Sequence, residues 1–338
     1  LTRDVGILLL NQGERWGVKK WTLDDLKAPL DYWYDKEGKR VFVACESNPA
    51  KKFKSVELAL TQHIVTEGGK HDITYDGLAV RYGAAHGFGG GSTQRITIRN
   101  CDVYWIGGGL QHWQKTKDGK REYPVRFGNG IEFWGNASDN LVERNRLWEI
   151  YDAALTNQGR DDEEVNITYR DNVIWNAEYS FEYWNARKTA NILFEHNTCV
   201  DAGSCWSHTQ RPDPNGAHLM FYRNPAVTTN VVIRNNIFVN STEVCTRMEN
   251  DWRSGLTLNH NLYYQAEKPL FRWLGKNYFA ATEFARYQSE LGLDQGSLCA
   301  APQFVDPAAR DYRLKPGSPG ATLASDGGPV GARQDAHK

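Results

Sequence analysis

One pattern recurs along the chain: Asn166-Ile-Thr-Tyr-Arg-Asp-Asn172, Asn191-Ile-Leu-Phe-Glu-His-Asn197, Asn230-Val-Val-Ile-Arg-Asn-Asn236 and Gly255-Leu-Thr-Leu-Asn-His-Asn261. Each copy alternates apolar and polar residues and ends in asparagine, and a second apolar run follows it. The closing asparagines are 25, 39 and 25 residues apart. A repeat of this length, with an apolar period of two and not 3.6, predicts one coil of a solenoid of parallel β-strands.

Earlier copies extend the repeat toward the N-terminus: Asp72-Ile-Thr-Tyr-Asp-Gly77, Arg95-Ile-Thr-Ile-Arg-Asn100 and Asn140-Leu-Val-Glu-Arg-Asn145. Because the copies follow one another, we predict a single elongated domain over residues 1–338. Its predicted parts are N-terminal strands and a hairpin in residues 1–70, regular coils in residues 71–265, and a C-terminal cap and tail in residues 266–338.

Two long spacings predict excursions from the coils. The 39-residue step fits one coil with a loop of about 14 extra residues, which we place at His208–Gly216 because of its turn-forming residues. The 45-residue step from Asn100 to Asn145 fits either nearly two coils or one coil with a long loop. We favour the loop, because Gln111–Tyr123 is polar and poor in strand-forming residues.

Three local patterns predict elements outside the coils. Thr22 suits the N-cap of a short helix. Asp31–Ala44 is typical of a hairpin that turns around Gly38. Thr282–Leu291 has the periodicity of an amphipathic helix, with Thr282 as the expected N-cap.

Composition excludes some functions and favours others. The net charge is −1, so no broad attraction to nucleic acid or to an anionic membrane surface is expected. No apolar run approaches the ~20 residues that span a bilayer. The 12 tryptophans and 16 tyrosines exceed what the core of a solenoid needs. Surplus rings suit sugar stacking or a protein interface.

The cysteines and the start of the chain are less informative. The six cysteines form no CxxC pair and have no metal-ligand spacing. Cys199, Cys205 and Cys245 fall on strand positions where a small buried side chain suffices, although a disulfide remains an alternative. Leu1 is not followed by a signal-like segment, which suggests a processed or trimmed chain.

The asparagine-terminated copies, the Asp31–Ala44 hairpin and the ending Asp311-Tyr-Arg-Leu-Lys-Pro-Gly-Ser-Pro319 resemble right-handed parallel β-helix proteins of the pectate-lyase-like superfamily. The resemblance covers most of the chain. It implies an all-β fold: a right-handed parallel β-helix with an irregular N-terminal hairpin region and a short C-terminal helix. Because nearly all members of this superfamily act on polysaccharides, it also implies a carbohydrate-active protein that is secreted or periplasmic.

A second segment also repeats, as Gly130-Ile-Glu-Phe-Trp134 and Ser180-Phe-Glu-Tyr-Trp184. Aligned in one sheet, Glu132 and Glu182 share a column and are separated by the coil that carries Thr156. Two coils correspond to ~10 Å, which suits the ~6.5–9.5 Å between the carboxylates of an inverting glycosidase better than the ~5–5.5 Å of a retaining one. We predict an acid/base pair, with Trp134 and Trp184 binding sugar. Alternatively, both carboxylates bind backbone amides within the stack.

The excursion in the 39-residue step supplies further candidates. His208 could act as a base, and Arg211 could bind a sugar carboxylate. The carboxylate of Asp213 could orient His208 or Arg211. The alternative is a solvated loop stiffened by its prolines.

Other candidates lie before and after these segments. Glu249 could be a catalytic acid or base, with Arg247 and Asp251 in contact with substrate. Alternatively, these residues form ion pairs with each other and with Arg253. His86, in a glycine-rich stretch, could line the upstream end of the groove. Gly159-Arg-Asp-Asp-Glu-Glu164 is acidic but lacks a calcium-loop pattern, so we predict a solvated turn and neither a metal nor a cofactor.

These observations lead to three hypotheses about function. The first is a glycoside hydrolase that cleaves a polysaccharide or oligosaccharide by carboxylate acid/base catalysis. The second is a polysaccharide lyase or epimerase acting on a uronate polymer, with its cation and base drawn from Arg247, Arg211, His208 and Lys188. The third is a non-catalytic sugar-binding module. The glutamates beside aromatic residues favour hydrolysis, and the expected partner is a glycan, with no nucleic acid or membrane.

Overall fold

The computed structural model describes residues 1–159, 163–212, 214–222 and 227–333, where the protein is all-β with large parallel sheets. The largest sheet in these ranges has 18 strands. They are Val5–Leu10, Arg15–Trp16, Val56–Leu60, Val65–Thr66, Ala79–Gly83, Phe88–Gly91, Asp102–Ile106, Ile131–Trp134, Arg146–Gly159, Val173–Asn185, Thr198–Ala202, Ala217–Phe221, Ile237–Ser241, Val244–Met248, Leu262–Tyr264, Pro269–Trp273, Lys276–Phe279 and Leu298–Cys299.

The second large sheet contains the strands Thr74–Asp76, Thr97–Arg99, Ala137–Ser138, Leu141–Glu143, Glu164–Arg170, Thr189–Glu195, Thr228–Arg234 and Leu256–Asn259. Smaller sheets pair Val18–Lys19, Asp31–Asp35 and Arg40–Val43, then Gly109–Lys115 with Glu122–Phe127, and Phe304–Asp306 with Asp311–Leu314. The helices are short: Pro49–Lys52 and Ala280–Leu291, with 3₁₀ turns at Asn11–Gly13, Leu23–Asp25 and His208–Gln210. No helix in the described ranges has the length and apolar character to cross a membrane.

Successive copies of the repeat pair in parallel and in register. In the second sheet, Tyr169 lies opposite Phe194, and Phe194 lies opposite Ile233. All three side chains are buried in one core cluster, while their neighbours along each strand face outward. Because side chains of a strand alternate between its two faces, the period-two pattern of the sequence becomes a continuous apolar column. The predicted parallel strands are confirmed.

A ladder of buried asparagines connects the repeats. After the first member, the side-chain Oδ1 of each accepts hydrogen bonds of 2.8–3.2 Å from the backbone N–H and the Nδ2 of the asparagine before it. Its members are 27, 25, 39 and 25 residues apart along the chain. The spacing read from the sequence is therefore the spacing of the fold. The ladder consists of Asn145, Asn172, Asn197, Asn236 and Asn261.

Several local predictions are confirmed. Thr22 and Asp25 form a capping box at a 3₁₀ turn, and the hairpin at Asp31–Val43 is present. Within the part of the chain that the structure covers, all six cysteines are free. Cys199, Cys205 and Cys245 are buried, as expected, but Cys205 lies in a bend after the strand Thr198–Ala202 and not on a strand.

Two local predictions are wrong. The excursion expected between Asn100 and Asn145 is present, because Thr97–Arg99 pairs directly with Leu141–Glu143. Gln111–Tyr123 is nevertheless not poor in strand, because it lies within the antiparallel hairpin Gly109–Phe127. A hairpin that is largely exposed needs few apolar residues, so its polarity misled the prediction. The C-terminal helix begins at Ala280 and not at Thr282. The carboxylate of Glu283 accepts the backbone N–H of Phe279 at 2.8 Å, which stabilises the earlier start.

Glu67 is a buried carboxyl that makes stability depend on pH. Its side chain is fully buried, and within the described residues neither carboxyl oxygen has a hydrogen-bond partner. Burial raises the pKa of Glu67 to about 8. The folded protein therefore holds this proton more tightly than the unfolded chain does. The resulting stability is complete below the ordinary pKa of a glutamate and is lost as the pH rises through about 8.

We expect the free energy of unfolding to fall by about 2 kcal/mol between about pH 6 and about pH 8 because of this group. Glu67→Gln should remove this part of the decrease, as measured by urea unfolding at both pH values. Glu46→Gln is the matched control, because the Glu46 side chain is 83% exposed. If Glu67→Gln kept the same pH dependence as the native chain, Glu67 would not be its source.

Candidate functional site

A cleft of about 930 Å³ lies over three neighbouring strands of the large sheet. Its floor is formed by Ile131–Trp134, Arg146–Gly159 and Val173–Asn185, which pair in parallel. The hairpin Gly109–Phe127 forms one wall. A cleft of this volume is in the range of sites that bind small molecules.

The floor places two glutamates in one column. Glu132 pairs with Thr156, and Thr156 pairs with Glu182, as the alignment of the two repeated segments predicted. Their neighbours Ile131, Phe133, Phe181 and Tyr183 are fully buried in the core. Because successive side chains of a strand point to opposite faces, both carboxyl groups face the cleft, which they line.

The carboxyl group of Glu132 is held by two donors. Asn129 donates from Nδ2 to Oε2 at 2.6 Å, and Nε2 of His86 lies 3.2 Å from Oε1. The backbone N–H of Asn129 donates to Nδ1 of His86 at 3.0 Å. Neutral His86 therefore carries its proton on Nε2 and points it at Glu132.

Burial sets the protonation of this pair. It raises the pKa of Glu132 to about 7, opposed by the hydrogen bond from Asn129 and assisted by the charge of Asp152. It lowers the pKa of His86 to about 3, and the adjacent His63 ring, stacked at 4.8 Å, adds to this. His86 is therefore a neutral donor at ordinary pH, while Glu132 titrates near neutrality.

Glu182 lies in different surroundings from Glu132. Burial raises its pKa well above the usual range, and the charges of Asp152 and Glu132 raise it further. The nearby Arg211 and a hydrogen bond with Tyr222 oppose this shift. Nε2 of Gln158 donates to its Oε2. These surroundings therefore favour the neutral, protonated form of Glu182.

Arg211 brings the long loop of the 39-residue repeat to the cleft. Its Nη1 donates to the carbonyl of Tyr151 at 2.8 Å and to Oδ1 of Asp152 at 3.2 Å. Behind it, the buried Glu178 accepts two hydrogen bonds, one from Nδ1 of His208 at 3.0 Å and one from the backbone N–H of Asn215 at 2.6 Å. Glu178 thus anchors both ends of the loop and fixes Arg211 beside Asp152.

Two tryptophans stand on the same face as the glutamates. Trp134 and Trp184 lie two residues after Glu132 and Glu182, and their ring centroids are 5.7 Å apart in an edge-to-face arrangement. Trp134 is 37% exposed. Between them in register lies Gln158. The cleft therefore presents aromatic surface next to its carboxyl groups.

The cleft collects part of the predicted site. Glu132, Glu182, His86, Trp134, Trp184 and Arg211 line it.

The other predicted residues have different positions. His208 binds Glu178, Arg247 pairs with Glu249, and Asp251 pairs with Arg253. None of the four predicted residues among these lines the cleft as far as the structure describes it. Asp213 lies outside the described residues.

Sequence reasoning missed several lining residues. Gln158 follows Thr156 as Trp134 follows Glu132, so the period-two pattern could have identified it. Asp152 lies where the register of the floor strands shifts, between Ile150 and Ala153. No sequence pattern marks that irregularity. The others missed include Asn129, Tyr151, Tyr179, Tyr222 and the lining residues of the hairpin Gly109–Phe127.

The described residues contain no group of three or more His, Cys, Asp or Glu side chains placed to hold a metal ion. The central residues of the acidic run, 160–162, lie outside them. Comparison of the chain with protein-family models, curated proteins and solved structures finds no match.

Proposed function

We propose that the chain is a right-handed parallel β-helix of the pectate-lyase-like type, secreted or periplasmic, and that it is a glycoside hydrolase acting on a polysaccharide or oligosaccharide. The observation that carries the proposal is the pair of buried carboxyl groups, Glu132 and Glu182, two strands apart on the floor of one cleft. Perturbed carboxyl pKa values in a cleft are typical of acid/base catalysis. The parallel, in-register repeats support the β-helix.

The two carboxyl groups suit different steps. Glu182, protonated, donates its proton to the glycosidic oxygen as the bond to the anomeric carbon breaks. Glu132, ionised, takes a proton from the water whose oxygen bonds to that carbon. Two strand spacings, ~10 Å at the backbone, leave room for that water, so we propose inversion. His86 and Asn129 hold Glu132 in place.

The predicted clamp Arg211 and the two tryptophans support hydrolysis more than elimination. A lyase needs a cation for the uronate carboxylate. Arg211, the predicted clamp, already pairs with Asp152 and contacts the carbonyl of Tyr151. The aromatic faces of Trp134 and Trp184 suit stacking on sugar rings.

A panel of polysaccharides tests the reaction class. Hydrolysis produces new reducing ends and no unsaturated uronide, whereas elimination produces an unsaturated uronide with strong ultraviolet absorbance. We expect reducing ends alone on at least one polymer. An unsaturated product would establish the lyase hypothesis instead, and no product from any polymer would favour the sugar-binding module.

The pH profile tests the assigned roles. We expect kcat/KM to rise with pH through about 7, because Glu132 must lose its proton to act as the base. At higher pH the rate should fall as Glu182 loses the proton that it donates. Asn129→Ala removes a donor that lowers the pKa of Glu132, so the acidic limb should move to higher pH.

Control measurements make this result specific. Asn129 Oδ1 also accepts the backbone N–H of Ala153 at 3.0 Å, so thermal melts of Asn129→Ala must accompany the profile. Asn240→Ala, which alters an exposed asparagine far along the chain, should leave the acidic limb unchanged. If a folded Asn129→Ala variant kept the acidic limb of the native kcat/KM profile, the titration of Glu132 would not be the cause of that limb.

A further inference from the structure

A second groove, of about 480 Å³, adjoins the cleft. Gln111, on the hairpin Gly109–Phe127, lines both. Its other walls come from the N-terminal region, including Trp21 and Trp33. The hairpin therefore borders both the cleft and the groove, which lie next to each other at Gln111.

Four aromatic side chains form part of the lining of this groove: Trp21, Trp33, Tyr34 and Trp113. Trp113 is 47% exposed, and its ring meets Trp21 edge to face, with centroids 5.4 Å apart. Trp33 also lines the groove and stacks on Phe42 at 5.6 Å, which fixes its plane. Exposed apolar surface of this kind marks a binding site more often than a structural need. Flat rings in fixed orientations suit the apolar faces of sugar rings.

The charges in the groove are balanced. Nζ of Lys19 lies 2.6 Å from Asp4, and Nζ of Lys20 lies 3.5 Å from Asp31. The charged side chains that line the groove comprise three of each sign: Lys19, Lys20, Lys36, Asp4, Asp35 and Glu37. Such a lining has no excess charge to attract uronates or sulfates. Stacking on the aromatic rings therefore contributes more than charge to the choice of ligand.

We propose that this groove is a distal subsite that binds uncharged sugar rings of the polysaccharide whose reacting bond lies over Glu132 and Glu182. This inference rests on the proposed function, because it requires that the cleft binds a polysaccharide. It adds a substrate class, a glycan with neutral residues several units from the reacting bond, and it assigns Trp113 to binding and not to the reaction.

Affinity electrophoresis tests the subsite without requiring turnover. Native gels contain arabinoxylan, galactomannan, xyloglucan or polygalacturonate. We expect at least one neutral glycan to retard the native chain, and Trp113→Ala to bind that glycan about five- to tenfold more weakly. Trp16→Ala is the matched control. Trp16 is 41% exposed and packs on Trp105, away from the cleft and the groove, so its replacement should leave retardation unchanged.

The outcomes separate this inference from the proposed reaction. Glu182→Gln should be retarded like the native chain, because binding in the groove needs no proton transfer. Equal retardation of Trp113→Ala and the native chain, retardation by polygalacturonate alone, or no retardation by any glycan would overturn the subsite. Full hydrolytic activity in Glu182→Gln would overturn the proposed reaction and leave the gel result standing. Thermal melts of both tryptophan variants confirm that they are folded.

Discussion

Glu182→Gln is expected to lower kcat/KM about 10³-fold on the polysaccharide that the panel identifies. Glu182 is buried in the cleft floor, and its pKa is raised by that burial and then by the charges of Asp152 and Glu132. Glutamine has nearly the same shape but no acidic proton to give to the leaving oxygen. Calorimetric titration with the same glycan should show nearly unchanged affinity, so the loss should appear in kcat.

Glu132→Gln is expected to cause a similar loss for a different reason, since the amide cannot accept a proton from water. Aryl glycosides separate the two roles. A good leaving group needs no protonation, so such a substrate should restore much of the rate of Glu182→Gln and none of the rate of Glu132→Gln. If aryl glycosides restored the rate of Glu132→Gln and not that of Glu182→Gln, Glu132 would be the acid and Glu182 the base.

Glu249→Gln provides the matched control. Glu249 pairs with Arg247 and does not line the described cleft, so its replacement should change kcat/KM by less than about twofold. If Glu132→Gln and Glu182→Gln both kept full activity, the paired-carboxylate hypothesis would be wrong.

Asn197→Ala is expected to lower the free energy of unfolding by about 3–5 kcal/mol. Asn197 is fully buried, and its Oδ1 accepts the backbone N–H and the Nδ2 of Asn172. Its Nδ2 donates to the carbonyl of Tyr169 and to Oδ1 of Asn236. Truncation leaves several buried polar groups without partners, each of which costs about 1–3 kcal/mol. Urea unfolding measures the change.

An exposed asparagine row offers the matched comparison for this variant. Asn191 donates to Asn166 and accepts from Asn230, but these side chains are exposed to water. Asn191 has φ 58°, so Asn191→Gly removes the amide without straining the backbone. We expect a loss below about 1 kcal/mol. Equal losses at the two positions would mean that burial of the ladder adds nothing to its stabilising effect.

Much of the cleft floor could be predicted from the sequence. The segments around Glu132 and Glu182 recur at the period of the repeat, and parallel strands in register convert that recurrence into a column. Alternation along each strand then separates the buried Phe133 and Tyr183 from the glutamates that face outward. These inferences depend only on the spacing of the repeats and on the alternation of side chains along each strand, and both can be read from the sequence.

The walls of the cleft could not be predicted in the same way. The hairpin Gly109–Phe127 and the loop that carries Arg211 leave the repeat, so its period says nothing about where they fold back. His208 was expected near the reaction and instead binds Glu178, because that buried carboxylate needs a partner. Arg211, three residues later, reaches the cleft.

The sequence alone determined the parallel strands, the asparagine ladder and the shared column of Glu132 and Glu182, because each follows from a repeated spacing. Only the tertiary structure decided how the surroundings of the two carboxyl groups differ. That difference comes from Asn129 and His86, which contact Glu132, and from Gln158, Arg211 and Tyr222, which act on Glu182. These neighbours come from different repeats and irregular turns, and only folding brings their charges and hydrogen bonds together.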